Sequence, residues 1–458
     1  MLTSDQNRKI NEIVEEFKEA ADFYRMEYSE DLMGMFRDFG CMLLLKCKVD
    51  TEGKADLERL LEGRHKLKGT VKRQLMTVSE ELAQLWAPGE QDGSGDTGEY
   101  EGSQNVREMF QTALEEIFHF CLYSKGGKNR YLLPEETAKP LLRLLTFPER
   151  MMAGNEGLVV LDTQCGAGSA LMAASRYLKN LRLMGYEKDE EMWAAAVIMS
   201  QLSGLEMELH LEDGARADLY LVISNPVYGT DTIKDEELID QLPGELKTVR
   251  GRYHMELIRS MQALNFDGKA MLIVPNSFLF ANRTESMKVR KWLLQSYSLE
   301  AIISLPEDTF MYSGVRSGVM VFSKPFMSGG WEGHTQRVLY YNLEKQEDKE
   351  KQQKEYERLE EVWSQRDSYY GKWERSRREK TVENRNGIKV PANWQYNSFW
   401  FADVDQIEAG KWNLLPENYR PEEQINLEIE DPALLLQEML KEQEEITKKL
   451  NELLKEVM

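Results

Sequence analysis

The chain is poor in the residues that build metal and disulfide frameworks. Five histidines occur in 458 residues, with no His-Glu-x-x-His and no Cys-x-x-Cys, so no metal site is expected. The four cysteines, Cys41, Cys47, Cys121 and Cys165, have no paired spacing and read as free thiols of a reducing cytosol. No stretch of 18 apolar residues occurs and the first thirty residues carry no signal-like apolar run, which predicts a cytoplasmic protein without a membrane span. Positive charge is also short: 58 Lys and Arg stand against 79 Asp and Glu, a net charge of −21. Such a chain does not grip nucleic acid with its whole surface, so an activity on DNA or RNA needs phosphate contacts from another chain.

What remains is ample material for a core: 41% hydrophobic and 30% charged residues. At about 150 residues per domain the length predicts two to four domains. Residues 1–123 read as a helical domain, because Ile10, Ile13, Val14, Phe17, Ala20 and Ala21 recur at helical spacing. Within it, 89–103 reads as a flexible loop, since 89–99 hold four glycines and four acids. From 158 the period changes. Leu158-Val159-Val160-Leu161 starts a series of short apolar strands at 183–187, 206–211, 219–224, 270–274, 301–305 and 319–322, separated by helices. That alternation predicts an α/β domain over 124–330, a doubly wound and mostly parallel sheet. Residues 331–458 read as a helical tail. Its 344–385 segment is highly charged, and its last helix carries Leu436, Met439, Ile446, Leu450, Leu453 and Val457 at a and d spacing.

The first predicted strand ends in Asp162, Thr163, Gln164, Cys165, Gly166, Ala167 and Gly168. A strand running into a glycine turn lets a ligand lie against backbone at the carboxyl edge of a sheet. Glu187 ends the next strand, placed to accept from ribose hydroxyls, and Asp213 follows the third, placed to accept from an adenine amino group. This pattern serves NAD as well as S-adenosylmethionine. The third glycine of a dinucleotide turn is missing, and a carboxylate at Asp162 suits an ammonium better than a pyrophosphate. Both features favour a cofactor bearing an amino acid and a sulfonium.

The fourth strand runs into Asn225-Pro226-Val227-Tyr228. The lone pair of an exocyclic amino group is delocalised into its ring, so two acceptors on its hydrogens help to localise it. The Asn225 side-chain oxygen and the Pro226 carbonyl are suited to that role, and Tyr228 to stacking on an extruded base.

Over 126–325, with a weaker echo at 398–458, the chain resembles the N6-adenine DNA methyltransferases, specifically the modification subunits of type I restriction-modification systems. Asp162 to Gly168 is similar to that family's cofactor turn, Asn225 to Tyr228 to its Asn-Pro-Pro-Phe/Tyr motif, and 270–280 to a strand-and-loop of the family. Residues 288–322 are the longest match. The resemblance implies the class I S-adenosylmethionine-dependent methyltransferase fold and methyl transfer from S-adenosylmethionine to adenine N6. Implied partners are double-stranded DNA, a specificity subunit docked on the C-terminal helix, a second copy of the chain and a restriction subunit. It adds Tyr131, Leu132, Leu133 and Pro134 to the cofactor residues, beside Asp162, Gln164, Cys165, Gly166, Gly168, Glu187 and Asp213. It makes 230–252, with Lys234, Lys247, Arg250 and Arg252, a mobile segment near the target base. Two positions depart from the family: Val227 replaces the second proline, and Leu133 stands where the family has threonine. They support a second reading, a non-catalytic assembly subunit; a third is a methyltransferase acting on cytosine N4 or a glutamine amide, which an Asn-Pro-x-Tyr site also serves.

Overall fold

The computed structural model describes residues 2–28, 31–49, 55–62, 67, 69–86, 97–124, 132–145, 158–178, 181–212, 214, 217–225, 232, 236–310, 315–325 and 335–421. Helix α1 (Ser4–Glu27) starts on a reciprocal capping box between Thr3 and Gln6 and buries Ile10, Ile13, Val14, Phe17, Ala20, Ala21 and Tyr24, the stripe read from the sequence. Helices α2 (Met33–Lys46), α3 (Ala55–Glu62), α4 (Gly69–Ala83) and α5 (Thr97–Leu122) complete the amino-terminal part. Of the loop expected at 89–103, residues 89–96 lie outside the described set, and α5 runs from Thr97.

After α6 (Glu135–Arg143) the chain winds β1 (Leu158–Asp162), α7 (Ser169–Tyr177), β2 (Leu181–Glu187), α8 (Glu190–Leu202), β3 (Met207–Leu211) and β4 (Leu219–Ser224). It continues through α9 (Glu236–Gln241), α10 (Arg252–Gln262), β5 (Leu264–Pro275), α11 (Asn276–Phe280), α12 (Thr284–Ser296), β6 (Ser298–Ser304) and β7 (Ser317–Ser323). These strands are the apolar runs of the sequence. Strands β3, β2, β1, β4 and β5 are parallel neighbours in that order, and β7 enters antiparallel between β5 and β6.

Beyond 330 the chain departs from a purely helical tail. Strand β8 (Arg337–Asn342) pairs parallel with β6, and β11 (Phe399–Asp403) pairs antiparallel with β8, so the sheet reaches nine strands among the described residues. The charged segment does form helices, α13 (Lys349–Ser364) and α14 (Arg366–Glu379). They are docked: Leu359, Val362, Trp363 and Trp373 are buried, and Trp373 packs on the Trp394 and Phe401 rings. A short β9–β10 ribbon (Thr381–Glu383, Lys389–Pro391) follows α14. The heptad helix at 431–458 lies outside the described residues. Among the described residues no helix is long and apolar enough to cross a membrane.

Candidate active site

Strand β1 delivers Asp162, only 2% exposed, to the carboxyl edge of the sheet. Gly166 and Gly168 follow with φ of +55° and +80°, conformations relaxed only for glycine. The turn closes on itself: the Gly168 N–H donates to the Cys165 carbonyl at 2.8 Å and the Cys165 N–H to the Tyr186 carbonyl at 2.9 Å. The Gln164 N–H donates to Asp162 Oδ1 at 3.0 Å. Glu187, at the tip of β2, lies across this turn. Its two oxygens accept from the Gly166 N–H at 2.9 Å and the Asp189 N–H at 2.7 Å. A carboxylate offers about four acceptor positions, so room remains for hydroxyl donors.

Burial sets the electrostatics of this pair. It pushes the Asp162 carboxyl up to about 7, against the opposing donation from Gln164 and Ser224. Glu187 is raised for the same reason, offset by the Asp189 and Gly166 amides. Both acids are raised by burial, and a cation or hydroxyl donors would relieve it. The turn 162–169 carries no cationic side chain, so the donor set fits an ammonium and a ribose better than phosphates. Cys165 is different: its thiol is buried against Gly185, where a Cβ would approach Sγ to 2.7 Å, so its side chain packs the β1–β2 tip.

The remaining cofactor candidates are distributed unevenly. Asp213 lies outside the described residues, but its neighbour Gly214 sits flush on the Tyr186 ring, which stacks on His210 at 4.6 Å. Tyr131 also lies outside. Leu132 is half-buried, Leu133 is 4% exposed in the core, and Pro134 precedes α6. Glu135 accepts from the Tyr177 hydroxyl at 2.8 Å and pairs with Arg176, anchoring the start of α6 to the carboxyl end of α7. The glycine turn is at the other end of α7. The Leu133 side chain is thus a core group.

Asn225 follows Ser224 at the carboxyl end of β4. Strand register pairs Leu161 with Val222, and its continuation sets Thr163 beside Ser224 and Gln164 beside Asn225. The hydroxyls agree: Thr163 Oγ1 lies 3.1 Å from Ser224 Oγ and 2.7 Å from Ser260 Oγ, tying the tips of β1 and β4 to α10. Isolated serines and threonines carry no pattern, so sequence reasoning passed over this ladder. Its only signal is position, one residue after Asp162 and one before Asn225. Pro226, Val227 and Tyr228 lie outside the described residues. Of the segment expected to be mobile, 236–252 is described, and its 245–251 part is pinned to α12. Glu285 accepts from the Arg250 and Gly251 amides at 2.9 and 3.2 Å, Lys288 donates to Thr248 at 2.6 Å, and Lys291 pairs with Glu245 at 3.5 Å. Lys234 lies outside the described residues. Beside β5, the guanidinium of fully buried Arg290 donates to the carbonyls of Trp412 at 2.6 Å, Ala281 at 3.0 Å and Phe278, fixing the loop after that strand.

Comparison with known proteins identifies the fold and the family. A methylase subunit of a type I restriction enzyme from Methanocaldococcus jannaschii is 24% identical over 291 residues, covering 59% of this chain and 47% of the relative. The chain spans less than half the length of the curated relatives it matches. A type I restriction-modification methyltransferase subunit from Streptococcus thermophilus superposes with a TM-score of 0.55 at 15% identity, over 90% of this chain and 99% of that one. A Listeria monocytogenes protein described as a class I S-adenosylmethionine-dependent methyltransferase gives 0.53 at 18% identity, over 78% and 99%. The fold is therefore that of the class I methyltransferases. The model of the N-6 DNA Methylase family matches residues 107–427, more than half of the sequence, and the chain belongs to that family.

Proposed function

We propose that this chain transfers a methyl group from S-adenosylmethionine to adenine N6 in DNA, as the modification subunit of a type I restriction-modification system. The observation that carries the reading is the spacing of two chemistries on one sheet edge. The acid-and-glycine turn and Asn225 end adjacent parallel strands, about 4.8 Å apart, and the Thr163–Ser224 contact ties them together. Bound S-adenosylmethionine supplies an electrophilic methyl group on a sulfonium. Asp162 accepts from the ammonium and Glu187 from ribose hydroxyls, while Gln164 to Gly166, Gly168 and Asp213 line the site, and Tyr131 to Pro134 border it through groups other than the buried Leu133 side chain. Asn225 and the Pro226 carbonyl accept the two amino hydrogens, and Tyr228 stacks on the base. The residues position and polarise; no strong base is required.

The net charge of −21 makes a second chain necessary for DNA affinity. A cytoplasmic complex with double-stranded DNA and a specificity subunit meets that need, the apolar seam at 431–458 docking on the specificity subunit. A second copy and a restriction subunit complete the assembly. Leu133 favours a second reading, a non-catalytic assembly subunit, because its buried side chain replaces a hydroxyl of the family's cofactor element.

Calorimetry with S-adenosylhomocysteine, then methyl transfer to DNA by the complex with the specificity subunit, separates the two. Micromolar binding lost in Asp162→Ala, with transfer lost in Asn225→Ala, is the expected result. Absence of binding even with the specificity subunit and DNA would establish the assembly reading. Binding without transfer to adenine would overturn the adenine reading in favour of another acceptor.

A further inference from the structure

Four elements of the amino-terminal domain converge on one helix of the catalytic sheet. Helix α2 lies flush on α8, with Gly40 so close to Ile198 that a Cβ would stand 2.4 Å from its Cδ1. Arg59 of α3 lies over the Trp193 ring at 5.6 Å. At the far end, Trp86 donates to the Leu202 carbonyl at 3.3 Å and Arg107 to the Ser203 carbonyl at 3.1 Å. At the near end, Arg37, whose side chain is 6% exposed, pairs with Glu191 at 3.0 Å and Glu190 at 3.4 Å.

That near end is where α8 meets the candidate cofactor turn. Asp189 caps α8 by accepting from the Glu191 and Met192 amides at 3.0 and 3.1 Å. Its own N–H holds Glu187, whose other oxygen holds the Gly166 amide. Met192 lies beneath Gly166, and Ala196 beneath Gly168. A displacement of the first turn of α8 therefore moves the cap, the acid and the glycine turn together.

We propose that Arg37 is a positioning residue for the cofactor site, by which the amino-terminal domain holds Glu187 and the glycine turn in binding geometry. This rests on the cofactor reading above, but its mechanical part stands apart from it. Arg37 is nearly buried while Glu191 is partly and Glu190 largely exposed, so the guanidinium is satisfied by reaching the two acids at the edge of the seam. Glu190 and Glu191 alone suit the amino end of a helix. The buried guanidinium adds a fixed attachment to the neighbouring domain.

The test uses the full chain and three variants: Arg37→Lys, Glu191→Gln and, as a control at the other end of α8, Arg107→Ala. Two quantities are read well below the melting temperature: the S-adenosylhomocysteine dissociation constant, and hydrogen exchange of peptides covering 163–168 and 187–192. Arg37→Lys and Glu191→Gln are expected to speed exchange in both peptides and weaken binding about tenfold, the scale of one charge-assisted hydrogen bond. Arg107→Ala is expected to lower the melting temperature and leave both readings unchanged. Unchanged exchange in Arg37→Lys and Glu191→Gln overturns the inference, and so does an equal change in Arg107→Ala, which would reduce Arg37 to a general domain contact. If the parent chain binds no S-adenosylhomocysteine, the cofactor reading fails, and exchange alone decides whether Arg37 holds the turn.

Discussion

The two flanks of the sheet join their neighbours by different chemistry. On the β2–β3 side, the amino-terminal helices meet α8 through small and aliphatic contacts, with polar clamps at each end. On the β8–β11 side, α14 docks through aromatic rings: Trp373 packs edge-on against Trp394 at 5.0 Å, and Tyr369 edge-on against Phe399 at 5.0 Å. The first seam ends one residue from the cap that holds Glu187. The second lies four strands from β4, about 19 Å at 4.8 Å per strand. Rings bury much area and tolerate exact placement poorly or well depending on packing alone, whereas the ion-paired seam transmits position. One flank therefore supplies mainly stability, and the other is mechanically continuous with the site.

That contrast breaks if an aromatic deletion changes the chemistry. Trp373→Ala empties a fully buried site, and a core aromatic truncation costs about 3–5 kcal/mol. Denaturant melts should show that loss, while cofactor affinity of the folded fraction stays at the parent value. A large shift in affinity would mean that the aromatic flank also shapes the site. Asn225→Ala is the opposite case. Removing one preorganised partner of a reacting group typically costs about 10²–10³ in rate. Methyl transfer should fall by that factor, with S-adenosylhomocysteine affinity and unfolding midpoint unchanged.

The parts legible in the sequence are those whose signal is local. Leu158-Val159-Val160-Leu161 announces a buried parallel strand, and the acid at its end marks the tip. The same holds for β2 with Glu187 and for β4 with Asn225. Strands β8 and β11 were hidden because Val338 to Tyr341 and Phe399 to Ala402 are short runs beside charged segments, and only pairing with β6 and with each other makes them strands. The docking of α13 and α14 was hidden for a related reason. The anchor Trp373 finds its ring partners Trp394 and Phe401 some twenty to thirty residues away in sequence, beyond any periodic pattern. The Thr163–Ser224–Ser260 ladder and the Arg37 clamp join residues 61 to 154 positions apart, and neither leaves a trace in composition or spacing.

The smallest expected effect concerns pH and sharpens the account of the cofactor flank. Burial holds the Asp162 carboxyl near 7 in the free protein, whereas an ammonium beside it favours the carboxylate. Binding therefore releases a proton below pH 7 and none well above it. Affinity for S-adenosylhomocysteine should be level above pH 8 and fall about tenfold between pH 8 and pH 6. Folding carries the opposite sign. Because the folded carboxyl titrates above its unfolded value, its favourable contribution is complete below the unfolded value and is lost as pH rises through 7. Above that point the buried carboxylate is a liability, which Asp162→Asn removes while keeping an acceptor for the Gln164 amide. The variant should lose cofactor binding yet melt no lower than the parent at pH 8. If it melts lower, Asp162 is held by a charged partner in the free protein, and burial is not what sets its titration.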